Sequence, residues 1–293
     1  MKAVVLALAL TLIPALGQGA SAHAEDRIAV VAAENFYGDI ARQIGGERVA
    51  VTSIMNNPDQ DPHLFETTPA IVRQLAGARI VILNGANYDP WIDKLLAAAP
   101  RADRIVVSAA QLTGRKPGDN PHLWYDPATM PAVATAFAEA LSKADSGHAS
   151  DYAARLKTTL AALDRISQRV TQLKTKHGGA VVTATEPVFG PMAQALGLTM
   201  RNERFQLAMM NDTEPSARDV AAFERDLKEH KVKVLIYNSQ VSEKLTERLR
   251  DLAGRSKVPV VGVTETMPPN VSFQDWVLGE LDALDKALSG PNS

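Results

Sequence analysis

Two α/β lobes joined by one long helix is the fold that the sequence predicts, and three observations carry it. Short β-branched runs alternate with helically spaced segments up to about residue 110. A long stretch without Gly or Pro follows, with a single apolar stripe. The strand–helix alternation then resumes and continues almost to the last residue. Such alternation is the signature of parallel sheets flanked by helices.

In the first lobe, "RIAVVAA" (27–33), "RVAVTSI" (48–54), "RIVILNG" (79–85) and "RIVVSA" (104–109) read as buried parallel strands. Between them, "PAIVRQLAGA" and "PWIDKLLAAA" have helical spacing. Pro90 stands at a helix start, where its missing N–H costs nothing. From Ser150 to Lys176, Leu156, Leu160, Leu163, Ile166, Val170 and Leu173 recur at steps of three and four. That is one face of one helix, ended by Gly178-Gly179. The stripe lasts about three heptads, short for a coiled coil, so a single helix packed along two lobes is expected. In the second lobe, "GAVVTA" (179–184), "KVKVLIYN" (231–238) and "VPVVGV" (258–263) read as strands. Helical patterns cover 215–230, 241–254 and 272–288, with Ser216 or Thr213 as a cap for the first. No sequence repeat is strong enough to claim duplication.

The first residues carry Lys2, an apolar run from Val4 to Leu16 and the small-residue pattern Ala22-His23-Ala24. This is a secretory leader, too short for a membrane span, with cleavage expected after about Ala24. The domain boundaries are therefore a signal peptide at 1–24, a first lobe at 25–147, a bridging helix at 148–177 and a second lobe at 178–293. The chain has no Cys, which removes both disulfides and a lipidated Cys. A soluble, periplasmic monomer without direct membrane insertion is expected. Net charge is −2, so no basic footprint for nucleic acid is present.

In open parallel sheets, ligands bind beyond the carboxyl ends of the strands. Four candidates lie there: His63, His122, Glu186 and Glu265. Both histidines sit in the same tripeptide, within "DPHLFETTP" (61–69) and "NPHLWYDP" (120–127). Pro opens a stiff turn that aims the imidazole. Two neutral imidazoles and two carboxylates cancel the charge of a divalent cation and suit first-row transition metals. His148, His177 and His230 lie near helix ends and read as polar surface. Each Glu taken alone could be a helix-start charge partner, Glu186 above all because "EPVFGPMAQALGL" opens a helix. Asp61, Glu66 and Asp126 are the nearest groups able to orient a metal-bound imidazole, with turn chemistry as their competing role.

The paired His motifs, the long central helix and "DTEPSARDVAAFERDLKEHKVKVLIYN" resemble the substrate-binding proteins of zinc/manganese ABC importers. The resemblance covers nearly the whole mature chain. It implies two α/β lobes, each with a four-stranded sheet, a rigid bridging helix, and one metal in the cleft. It also implies a membrane permease as partner and the metal as cargo rather than catalyst. By position it places the histidine ligands on His63 and His122. It places the third ligand on Glu186, in "TEPVF", where the family has Ser-His-x-x-Phe or Ser-Glu-x-x-Phe. The fourth, usually Asp, falls on Glu265, the only carboxylate in "TETMPPN". The His-rich loop of many zinc-type members is missing from "QLTGRKPGDN". Members with Glu in the third position look manganese-type, and carboxylate oxygens suit the harder Mn²⁺, so Mn²⁺ is expected ahead of Zn²⁺.

Three rival classes fit the sequence less well. A metallohydrolase using the same residues lacks an H-E-x-x-H helix, and four protein ligands leave little room for activated water. A surface adhesin lacks an anchor. An organic-solute site wants an aromatic lining, and only 5% of residues are aromatic.

Overall fold

A computed structural model describes residues 27–57, 65–241 and 243–290. The leader, Asp61 and His63 lie outside the described residues. The first lobe holds β1 (Ile28–Glu34), β2 (Val49–Met55), β3 (Ile80–Leu83) and β4 (Ile105–Ser108), all parallel, in the order β2-β1-β3-β4. The second holds β5 (Val181–Ala184), β6 (Thr199–Arg201), β7 (Leu235–Asn238) and β8 (Val260–Val263), also parallel, in the order β6-β5-β7-β8. The two lobes therefore share one topology although no repeat is visible in the sequence. In each, the chain reverses its direction of travel across the sheet after the second strand. The switch points lie between β1 and β3 and between β5 and β7, and such points open a crevice at the carboxyl ends.

Helices α1 (Asn35–Gly45), α2 (Pro69–Gly77), α3 (Pro90–Ala98), α4 (Ala109–Thr113) and α5 (Thr129–Ala144) flank the first sheet. Helices α7 (Gly190–Ala195), α8 (Glu203–Met210), α9 (Ala217–Lys228), α10 (Lys244–Arg255) and α11 (Phe273–Ser289) belong to the second half. Pro90 opens α3 as predicted, and Ser216 rather than Thr213 caps α9 by accepting from Asp219 N–H.

The connection is α6 (Ala149–His177), a single 29-residue helix. Its predicted stripe is the packed face: Leu163, Ile166, Val170 and Leu173 are buried, and Leu156 and Leu160 lie against the core. It packs on α1 and α5 of the first lobe and on α11 of the second. Arg169 bonds Asp282 and Asp285, while Lys176 and His177 bond Asp285, which pins its last turns to α11. His177 is thus a structural partner rather than the free surface residue expected. His148 similarly pairs with Asp145, and His230 is exposed.

One apolar core runs through both lobes and α6, from Val30, Phe36 and Trp124 to Val182, Phe189 and Trp276. Smaller clusters lie apart from it in each lobe, around Leu75 and Ile92 in the first and Phe205, Phe223 and Leu249 in the second. Among the described residues no helix is long and apolar enough to cross a membrane.

Candidate metal centre

Three of the four predicted ligands are described, and all three are withdrawn from water: His122 and Glu265 are 0% exposed and Glu186 is 3% exposed. Glu186 follows β5 and stands immediately before a short turn at Pro187–Phe189 that leads into α7. Glu265 follows β8. His122 precedes the turn Leu123–Tyr125, beyond β4 and α4.

The His122 ring is fixed by an amide. Asn120 Nδ2 donates to the Pro187 carbonyl at 2.7 Å, so its Oδ1 must face the other way. That oxygen accepts the His122 backbone N–H at 3.0 Å and lies 2.8 Å from His122 Nδ1. An amide oxygen only accepts, so Nδ1 carries the proton and Nε2 presents its lone pair. Nε2 lies 3.4 Å from Glu265 Oε2 and has no hydrogen-bond partner. A lone pair facing a carboxylate oxygen calls for a positive charge between them, whether a proton or a metal ion.

The two carboxylates meet on a residue that the sequence analysis missed. Asn238, the last residue of β7, donates from Nδ2 to Glu265 Oε1 at 2.7 Å and to Glu186 Oε2 at 3.0 Å. Its own backbone N–H is held by Thr185 Oγ1 at 3.1 Å, and its Oδ1 accepts from Gln240 N–H. Gln240 in turn accepts from the backbone N–H groups of Glu265 and Thr266, and its Nε2 donates to Thr266 Oγ1. The segment Asn238–Gln240 thus grips both carboxylate-bearing loops across the second switch point. The rule that selected Glu186 and Glu265, a polar residue at a strand's carboxyl end, also selects Asn238.

The first lobe reaches across. Tyr88 Oη donates to Glu265 Oε2 at 3.0 Å. Burial first, and Glu265 next, push the Tyr88 phenol well above its ordinary range, so it stays a donor. Asn35 exchanges two hydrogen bonds with the backbone of Met267, two residues beyond Glu265. Gly190 is needed where the lobes touch, since a Cβ there would stand 2.7 Å from Asn120 Nδ2. Asn84 accepts from Tyr37 Oη and donates to the Pro121 carbonyl, which anchors the His122 turn to the end of β3.

One of the expected orienting groups does not act that way. Asp126 bonds Arg115 and the Ala128 N–H, which is turn chemistry, and the Nδ1 partner of His122 is Asn120 instead. Glu66 is exposed. The few aromatic residues are also not spread evenly. Phe36, Tyr37, Trp124, Tyr125, Phe189 and Trp276, with the half-buried Tyr88, form a continuous cluster behind the site, with ring centroids 4.7 to 6.0 Å apart. Among the described residues no three His, Asp or Glu side chains converge on one point. His122 and Glu265 form a pair, and Glu186 is joined to it through Asn238.

The family model described as "Zinc-uptake complex component A periplasmic" (ZnuA) matches residues 30–287. The chain belongs to this family. Its members are substrate-binding proteins of metal importers, not enzymes, and the hydrolase alternative finds no support. The chain is 27% identical to the manganese-binding lipoprotein MntA of Bacillus subtilis over 75% of this chain and 74% of that protein. It is 24% identical to the zinc-binding protein TroA of Treponema pallidum over 82% of this chain and 80% of that protein. The solved structure of TroA superposes with a TM-score of 0.76 at 21% identity, covering 89% of this chain and 99% of that one. That likeness is one of fold: two parallel four-stranded sheets and a long connecting helix.

Proposed function

We propose that this family member binds one divalent first-row metal ion through His63, His122, Glu186 and Glu265 and hands it to the permease of an ABC importer. The observation that carries the ligand set is the sharing of one Asn238 amide by two buried carboxylates, with a bare imidazole nitrogen 3.4 Å from one of them. Two negative charges in a water-poor crevice favour a divalent cation, because the interaction is little screened there. The donor set is mixed. Imidazole suits Zn²⁺, and carboxylate oxygens favour the harder Mn²⁺. Mn²⁺ is the proposed physiological cargo, with Zn²⁺ as its closest competitor. Two names among the relatives, one manganese-binding and one zinc-binding, are consistent with that pair and do not choose between them. The protein is proposed to act as an exported monomer, its leader removed after about Ala24.

Elemental analysis of protein purified from its native compartment, without added metal, tests the cargo. One equivalent of Mn per chain is the expected result, and Zn in its place would overturn the preference. Titration of the metal-stripped protein tests the site, with a stoichiometry of one expected. A stoichiometry of two, or affinity unchanged in both His63→Ala and His122→Ala, would overturn the ligand set.

A further inference from the structure

Glu280 lies on α11, buried, and takes no part in the contacts described so far. Its Oε1 accepts from Trp276 Nε1 at 3.0 Å and from the Thr264 backbone N–H at 3.2 Å. Its Oε2 lies 2.8 Å from Tyr125 Oη. Tyr125 Oη also lies 2.7 Å from the Thr264 carbonyl oxygen.

The protons can be counted. A phenol has one hydroxyl proton and a carbonyl oxygen has none. If Glu280 were ionised, one proton would have to serve both short contacts of Tyr125 Oη. One pair of oxygens less than 3 Å apart would then face each other as acceptors. With a proton on Oε2, both contacts become hydrogen bonds: Glu280 donates to Tyr125, and Tyr125 donates to Thr264. Oε1 keeps its two N–H donors, and the contacts of Glu280 and of Tyr125 Oη are then all donor-to-acceptor pairs.

The surroundings agree with that count. Burial pushes the Glu280 carboxyl up to about 8, although Tyr125, the Thr264 N–H and Trp276 pull the other way. Tyr125 is raised as well, by burial first and then by Glu280, so it remains a donor. The groups that face Glu280 are Tyr125 from the first lobe, the Thr264 backbone from the loop after β8, and Trp276 one turn earlier on α11. Tyr125 is the one titratable group among these, and Glu265 acts on Tyr125 from beyond it.

The ends of the chain matter for the metal centre. Tyr125 is the third residue after His122, and Thr264 immediately precedes Glu265. We infer that Glu280 is held as a neutral carboxylic acid and is a positioning residue, its proton closing a chain through Tyr125 to the Thr264 carbonyl that sets the Glu265 loop against the His122 turn. The consequence for metal binding rests on His122 and Glu265 being ligands, and the protonation state does not.

Glu280→Gln separates the two. Gln supplies an N–H to Tyr125 and a carbonyl oxygen to Trp276 and Thr264 at every pH. The first measurement is the melting temperature of metal-free, chelated protein between pH 5 and pH 9. An acid whose folded pKa lies above its unfolded value, near 4.3, loses folded stability as pH rises between the two and no more beyond. The melting temperature of Glu280→Gln should therefore gain on that of the wild type up to about pH 8, and the gap should then stay level. A gap independent of pH overturns the neutral acid. So does a Glu280→Gln protein that fails to fold at any pH, since Gln reproduces every hydrogen bond of the neutral form. The second measurement is Mn²⁺ affinity at pH 7 by competition titration. Glu280→Gln should stay within about threefold of wild type, whereas Tyr125→Phe, which cuts the chain at its middle, should weaken binding by at least about fivefold. Equal weakening in both variants overturns the positioning role. If the pH-dependent gap appears while His122→Ala leaves affinity unchanged, the positioning role falls with the ligand set and the neutral acid stands.

Discussion

Asn238 is the place where the proposed centre is most exposed to test. Its Nδ2 is 2.7 Å from Glu265 Oε1 and 3.0 Å from Glu186 Oε2, and all three side chains are buried. Asn238→Leu keeps the approximate volume and removes the donor. A hydrogen bond to a charged group contributes about 1.5 to 3 kcal/mol, so about 3 to 6 kcal/mol of gross interaction disappears. Two effects then oppose each other. Lifting the energy of the metal-free carboxylates would by itself tighten metal binding. Losing the group that orients both of them weakens it. The first effect is small if the empty cleft opens, because water replaces the lost amide. The second persists, because a loaded, closed cleft admits no replacement. Removing a partner that orients a metal ligand commonly costs 10- to 100-fold in affinity. Asn238 serves two ligands at once, so the upper end of that range is expected, close to 100-fold or about 2.7 kcal/mol. Competition against a chromogenic chelator at fixed pH and ionic strength measures it for Mn²⁺ and Zn²⁺. Dissociation constants within twofold of wild type for both metals would refute the reasoning, and with it the presence of both carboxylates at one metal.

His122→Ala removes a buried nitrogen donor and should weaken either metal by at least about a hundredfold, or roughly 2.7 kcal/mol, by titration calorimetry; unchanged affinity would count against the site. Glu186→His exchanges an oxygen ligand for a softer nitrogen and removes one charge, so the ratio of Zn²⁺ to Mn²⁺ affinity should rise about tenfold, or roughly 1.4 kcal/mol. An unchanged ratio in competition titrations would return Glu186 to the role of a helix-start carboxylate. Metal that binds only the folded cleft stabilises by about 4 kcal/mol at a thousandfold excess over its dissociation constant. At about 2 to 4 °C per kcal/mol for a chain of this size, the melting temperature should rise by roughly 8 to 16 °C on loading and fall back with chelator. A melting curve blind to Mn²⁺, Zn²⁺ and chelator would oppose the site.

The parts of the fold that were legible are those decided by local pattern. β-branched runs mark seven of the eight strands because both faces of each sheet are covered. The eighth, β6, is three residues at a sheet edge with two of them exposed, so it has no apolar run to display. β7 begins at Leu235 rather than at Lys231, although Lys233 N–H already bonds the Val181 carbonyl and the Val234 carbonyl accepts from Thr183 N–H. Helix α1 has no clear signal in the sequence. It carries Gly38 in its interior and lacks a side-chain cap, and the glycine answers a long-range demand, since a Cβ there would collide with Ser53 Oγ. The site divides in the same way. His122, Glu186 and Glu265 announce themselves by chemistry and by position after a strand. Asn84, Asn120, Asn238 and Gln240 look like ordinary turn residues in a linear sequence. Their roles come from partners 37, 67, and 27 to 52 residues away for the first three. Such pairings belong to the fold and not to any local window.

The placement of those amides says how closure and ligand positioning are joined. Asn120 of the first lobe bonds the carbonyl of Pro187, the neighbour of Glu186. Tyr88 bonds Glu265 itself, Tyr125 bonds the Thr264 carbonyl, and Asn35 grips Met267. Every one of these cross-lobe bonds lands on a proposed ligand of the second lobe or within two residues of one. Parting the lobes would therefore break the contacts that set the carboxylates and wet the crevice in the same step. The long helix is a poor place for the bend. It has no Gly or Pro between Ser150 and Lys176, and its buried stripe and its ties to Asp282 and Asp285 hold it along its length. The bonds around the ligands are few and short, and charge concentrated by the two carboxylates strengthens them only while the crevice is dry. With the proposed ligand set, a bound metal would tie the two lobes together across that crevice, while α6 is the frame on which both are packed.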